Sequence, residues 1–207
     1  MAKRKRAIRR RTPARRATTT APSPNYYAKE LYGAGRVFEK QQGKIRSLGL
    51  TPAMAGILEF AAAKTGLDVH VTSGGQVPLG TKGPRTGSTR HDVGGGRLGA
   101  ADVKLFDPVQ KRHLNMTKAE DAKRMGEFVY QTIRAGATGV GAALNYMGPE
   151  VMHIGGGTPA VWGKAGGGAA APWIRTAYEA GRRSTRVTPA EIQAVIAAQK
   201  GSGHIRG

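Results

Sequence analysis

The sequence predicts an α+β domain: a small, mostly antiparallel sheet with helices packed on one side. Two kinds of periodicity predict it. "LDVHVTS" (67–73) and "GAADVKLFD" (99–107) alternate apolar and polar residues with period two, as half-buried strands do. "TPAMAGILEFAAAKTG" (51–66) and "MTKAEDAKRMGEFVYQTIRAG" (116–136) instead carry apolar residues at helical spacing.

The elements follow in order. Residues 1–25 are too basic and too poor in apolar residues to offset the entropy of ordering, and read as a disordered tail. Residues 26–49 read as a short helix and a loop packed on the core. Thr51 is an N-cap candidate with Pro52 at the first helical position, and Gly66 ends that helix. In "LDVHVTS", Leu67, Val69 and Val71 face the core, and His70 is on the polar face, a structural group or, alternatively, a support behind the site. A Gly/Pro/Thr-rich loop spans 74–90. In the next strand Asp102 shares a face with Ala100 and Lys104, while Ala101, Val103 and Leu105 point into the core.

"PVQKRHLN" is a turn into a short strand, with His113 solvated. Thr117 caps the following helix, with Glu120 three residues on. "TGVGAALNY" and "EVMHIGG" are two more strands, and 188–200 an amphipathic helix. Trp162 and Trp173 are packing residues of the domain's C-terminal edge, with lining of a substrate groove as the alternative. The expected organisation is a tail (1–25), a catalytic domain (26–175) and a helical extension (176–207).

Composition narrows the chemistry. The chain of 207 residues has no Cys, which excludes disulfides and thiolate metal sites. Any metal must be held by imidazole and carboxylate. The formal net charge is +20. Residues 1–22 hold nine Lys or Arg and no acid; Arg4, Arg6, Arg9, Arg10 and Arg11 are the expected polyanion contacts. Without that segment the chain keeps 24 basic against 13 acidic residues, so the partners should be polyanions. No apolar run is long enough for a membrane span, and no apolar stretch follows the basic start as a secretory signal would require.

His91 and Asp102 flank a glycine-rich connector, and Glu150 lies three residues before His153. His91, Asp102 and His153 supply two imidazoles and one carboxylate. Three protein ligands with one open position is the arrangement of a catalytic zinc site, with Glu150 as acid/base. Positions 150 and 153 are an odd number apart, so on a regular strand they would face opposite sides. Glu150 is therefore expected at the irregular exit of the Gly148-Pro149 turn.

These residues resemble the zinc D-alanyl-D-alanine peptidases of bacterial cell-wall metabolism. Phage endolysins that cut L-alanyl-D-glutamate bonds are relatives of that family, and the hedgehog signalling domain shares its fold. His91-x-x-Gly94 and Ala100-x-Asp102, with Ser88 ahead of them, match the first part of the pattern, and Glu150-x-x-His153 the second. The resemblance covers roughly residues 50–165. It implies that His91, Asp102 and His153 bind Zn2+ and that Glu150 is the catalytic base.

Two departures matter. The interval from His91 to Asp102 is four residues longer than the family's, an excess assigned to "GGRL" at 95–98. Where the family often carries Arg after "Ser-Gly-Tyr", this chain has Gln76, a weaker partner for an anionic transition state. Arg85 or Arg90 is expected to supply the positive charge to substrate, with Tyr146 at the rim.

The function expected is a zinc peptidase acting on bacterial peptidoglycan, of carboxypeptidase or endopeptidase type. It would be made in the host cytoplasm and act at the cell wall, as a phage endolysin or a virion-associated lytic protein. The alternative is a basic virion or nucleic-acid-associated protein with a degenerate peptidase-like domain, its tail on DNA or an acidic virion surface.

Overall fold

The computed structural model describes residues 35–39, 45–164 and 168–201. The basic tail, its five arginines and most of the segment ahead of residue 45 lie outside them. The described residues form a mixed seven-stranded sheet and five helices, an α+β architecture.

The strands are β1 (Val37–Glu39), β2 (Asp68–Ser73), β3 (Ala100–Asp107), β4 (Arg112–His113), β5 (Gly139–Gly141), β6 (Val151–Gly155) and β7 (Ala160–Trp162). The helices are α1 (Pro52–Thr65), α2 (Ala119–Arg134), α3 (Leu144–Met147), α4 (Pro172–Arg183) and α5 (Pro189–Gly201). The sheet order is β1-β2-β3-β6-β5-β7, with β4 pairing the end of β3. The β2–β3, β3–β4, β3–β6 and β5–β6 pairs are antiparallel; β1–β2 and β5–β7 are parallel.

Alternation decides the two faces. Val69, Val71, Ala101, Val103, Leu105, Val140, Met152 and Ile154 form one core with residues of α1, α2, α4 and α5. His70, Asp102, Lys104, Phe106 and His153 alternate with them and occupy the other face. Period two in β2 and β3 thus aims one row at the helices and the other at the site.

The α1 boundaries match the expectation. Thr51 Oγ1 accepts the Met54 N–H at 3.1 Å, and Gly66 takes the left-handed conformation at φ +68°. Several expectations are corrected. Thr117 does not cap α2: its hydroxyl and N–H bond to Asn115 Oδ1, and Lys118 stands at the N-cap without a side-chain bond. The strand expected at 138–146 stops at Gly141, and Leu144–Met147 turns into α3. Between 26 and 49, Val37–Glu39 is a strand whose register on β2 pairs Phe38 with His70.

The division expected after residue 175 falls inside α4. Ile174 and Tyr178 of α4, Val187, and Ile192 and Ile196 of α5 are buried in the common core. Thr188 and Glu191 cap α5 reciprocally, Thr188 N–H to Glu191 Oε2 at 2.7 Å and Glu191 N–H to Thr188 Oγ1 at 3.2 Å. Among the described residues no helix is long and apolar enough to cross a membrane.

Candidate metal centre

β3 and β6 bring the first two ligands together. Their antiparallel register pairs Asp102 with His153, so both side chains leave the same face at the same rung. His153 Nδ1 lies 3.0 Å from Asp102 Oδ1. The third comes from the long loop after β2. Gln76 N–H bonds to the His91 carbonyl at 2.8 Å and Val93 N–H to the Gln76 carbonyl at 3.1 Å, which straps the loop to the end of β2. A register shift between Val71 and Ser73 turns the strand there, beside Asp102.

His91 Nε2 then lies 3.4 Å from the same Asp102 Oδ1. One ligand atom from each of His91, Asp102 and His153 falls within 4.8 Å of the others, and all three residues are buried. A tetrahedral ion with ligand bonds of about 2.0–2.1 Å sets its ligand atoms roughly 3.3 Å apart, which the 3.4 Å between His91 Nε2 and Asp102 Oδ1 fits.

Hydrogen bonding prepares the donors. His91 Nδ1 lies 2.7 Å from the Gly74 carbonyl, which can only accept. Nδ1 therefore carries the proton, and the neutral ring presents a lone pair at Nε2. Nε2 is buried and has no hydrogen-bond partner, as is His153 Nε2. Buried polar atoms are seldom left unpaired, and unpaired imidazole nitrogens beside a carboxylate are what a cation would satisfy.

Burial resists ionisation of Asp102, but the hydrogen bond from His153 and the neighbouring His91 ring overcome it and hold the carboxyl well below its ordinary range. Burial pushes His153 below its ordinary value, opposed by Asp102. Carboxylate and neutral imidazole are the protonation states that ligation requires.

Gly94, Gly95, Gly96 and Gly99 all have positive φ, so the connector loops out between His91 and Asp102. The loop is tied down by Asp92, which has no exposed surface. Its Oδ1 accepts from Gln76 (2.8 Å) and Arg85 (3.0 Å), and its Oδ2 from the Leu79 N–H (3.1 Å) and Arg97 (3.0 Å).

That network relocates two expected site residues. Gln76 is buried, its amide spent on Ser88, Asp92 and Thr86, and it builds the loop instead of facing the ligands. Arg85 is committed to Asp92 and the Val77 carbonyl. Arg90 bonds the carbonyls of Gly156 (2.9 Å) and Thr158 (3.1 Å) and stacks over Trp162, 4.7 Å from its ring. Trp162 lies 5.1 Å from His153, so Arg90 and Trp162 wall the site. Tyr146 is half-buried in α3, outside the ligand group.

Glu150 stands just ahead of β6, outside the ligand group, and pairs with Lys104 at 2.9 Å. Lys104 is two residues from Asp102 on the same strand face, so this pair borders the ligands along the open face. His113 is not simply solvated: its Nε2 meets His70 Nδ1 at 2.9 Å, and both rings pack against Phe106.

Two contributors had no periodic or motif signal. Arg46 reaches Asp102 Oδ2 at 3.0 Å from 56 positions away. Trp162 was legible first as a packing residue, with groove lining as the alternative. Lys104 had one, since its spacing from Asp102 places both on one face. Comparison with protein-family models, curated proteins and solved structures gives no match.

Proposed function

We propose that this chain is a zinc-dependent hydrolase of peptide bonds in bacterial peptidoglycan. One observation carries the reading: a buried carboxylate and two imidazoles converge with His91 Nε2 left without a hydrogen-bond partner. Two His and one Asp, with no Cys in the chain, are a donor set suited to zinc. The fold suggested by the resemblance, that of the D-alanyl-D-alanine peptidases and the hedgehog domain, agrees with the sheet order only at the level of an α+β class.

His91, Asp102 and His153 would hold the ion. Once bound, it would polarise the scissile carbonyl and acidify a water molecule. Glu150 would take the proton and pass it to the departing amine. Lys104 holds the Glu150 carboxylate at the border of the ligand group. Trp162 and Arg90 close one side and limit access by bulk water. Gln76 and Arg85 are spent on the loop, whereas Arg46 is a cation in direct contact with Asp102.

The test is mass spectrometry of muropeptides incubated with the zinc-loaded chain beside a chelated control. New stem-peptide fragments in the loaded sample alone are expected. Intact muropeptides in both would remove the peptidase and leave the alternative: a cationic virion or nucleic-acid-associated protein that keeps the ligand group without the activity.

A further inference from the structure

Arg46 is tied to the ligand group by two parts of the residue, its side chain directly and its carbonyl through Gly74. Its Nη1 donates to Asp102 Oδ2 at 3.0 Å, and its Nη2 to Thr86 Oγ1 at 3.1 Å. Its carbonyl accepts the Gly74 N–H at 2.8 Å, and the Gly74 carbonyl in turn accepts His91 Nδ1–H at 2.7 Å. One residue thus steers two of the three candidate ligands, Asp102 directly and His91 through Gly74.

The backbone is unusual as well. Arg46 has φ +59°, one of two non-glycine residues with positive φ among those described. Left-handed backbone is costly for a residue with a Cβ, and it persists where surrounding contacts over-determine it. The turn aims the side chain and the carbonyl at the site together. Thr86, the other end of the guanidinium fork, bonds Gln76 Oε1, and Gln76 bonds Asp92, so the fork is anchored to the loop that carries His91.

We infer that Arg46 is a positioning residue of the metal centre, holding Asp102 so that a single oxygen, Oδ1, faces both imidazoles. The inference rests on the metal-binding reading above and assigns Arg46 no contact with substrate. A carboxylate pinned at one oxygen ligates through the other. Without the pin it can rotate and offer both, which raises the coordination number and loosens the fit. Outer partners of this kind affect metal affinity by about 10–100-fold.

The experiment is a Co2+ titration of the full chain, followed by visible absorption, with unfolding of the metal-free proteins measured alongside. The wild type is expected to take one equivalent with the strong absorption of four-coordinate Co2+. Arg46→Met should bind roughly tenfold or more weakly, with weaker absorption as coordination rises. Arg46→Lys, which keeps charge but not the fork, should lie between. If Arg46→Met does not fold, Arg46→Gln carries the test and should show the same loss. Wild-type affinity and spectrum in the folded neutral variant would overturn the assignment to Arg46 alone. A wild type that takes up no Co2+ would overturn both this inference and the metal reading.

Discussion

Asp102 and His153 are directly opposed partners in the β3–β6 ladder, and their side chains meet at 3.0 Å on the open face of the sheet. Fifty-one residues separate them in sequence, yet the pairing register alone makes them neighbours. His91 joins them from a loop, so two ligands sit on rigid strands and the third on a segment held by a buried carboxylate.

Replacing a strand ligand should abolish tight metal binding. His153→Ala is expected to retain far less than one equivalent of zinc after dialysis, read by elemental analysis. Stoichiometric zinc in that variant would show that the ion is held elsewhere.

Glu150→Gln separates binding from chemistry. Zinc content should match the wild type, because Glu150 bonds Lys104 and lies outside the ligand group. Turnover of muropeptides should fall about 10²–10⁴-fold. Undiminished turnover would remove Glu150 from the proton path.

Asp92 makes loop stability depend on pH. Burial alone would raise its pKa, but hydrogen bonds from Gln76 and Arg85 and the arginine charge hold it below the ordinary value of 3.8. The stabilisation is therefore complete above the unfolded pKa and is lost as pH falls through the lower, folded one. Asp92→Ala should cost about 3 kcal/mol at neutral pH, since it strands buried donors. Urea denaturation from pH 7 to pH 2 checks both points: the wild type should lose stability below about pH 4 more steeply than the variant.

Gly141 makes room for Trp162. A Cβ at this position would lie 2.3 Å from the indole, and Gly141 pairs with His153 in the β5–β6 ladder. Gly141→Ala should force Trp162 away from His153, shift tryptophan emission and cost about 1–3 kcal/mol. An unchanged emission spectrum with full stability would mean that the wall yields without consequence.

Much of this molecule was written in local pattern. Period two in 67–73 and 99–107 gave two strands and their faces, and Thr51, Pro52 and Gly66 marked a helix at both ends, because these signals act over a few residues. The candidate ligands were legible through residue chemistry together with the resemblance: a chain without Cys leaves imidazole and carboxylate as donors, and the resemblance singled out His91, Asp102 and His153 among them.

Tertiary structure alone decided the rest. Gln76 could have faced the ligands, but Asp92, Ser88 and Thr86 claim its amide within the loop. Arg85 looked available for substrate until the same buried carboxylate took it. Arg46, in a segment with no periodicity, reaches Asp102 because its carbonyl and Leu48 bond Gly74 and Gly75 at the end of β2, which pairs with β3. Hydrogen-bond partners depend on which segments chain closure makes neighbours, and a one-dimensional pattern records which face a side chain takes but not what stands opposite it.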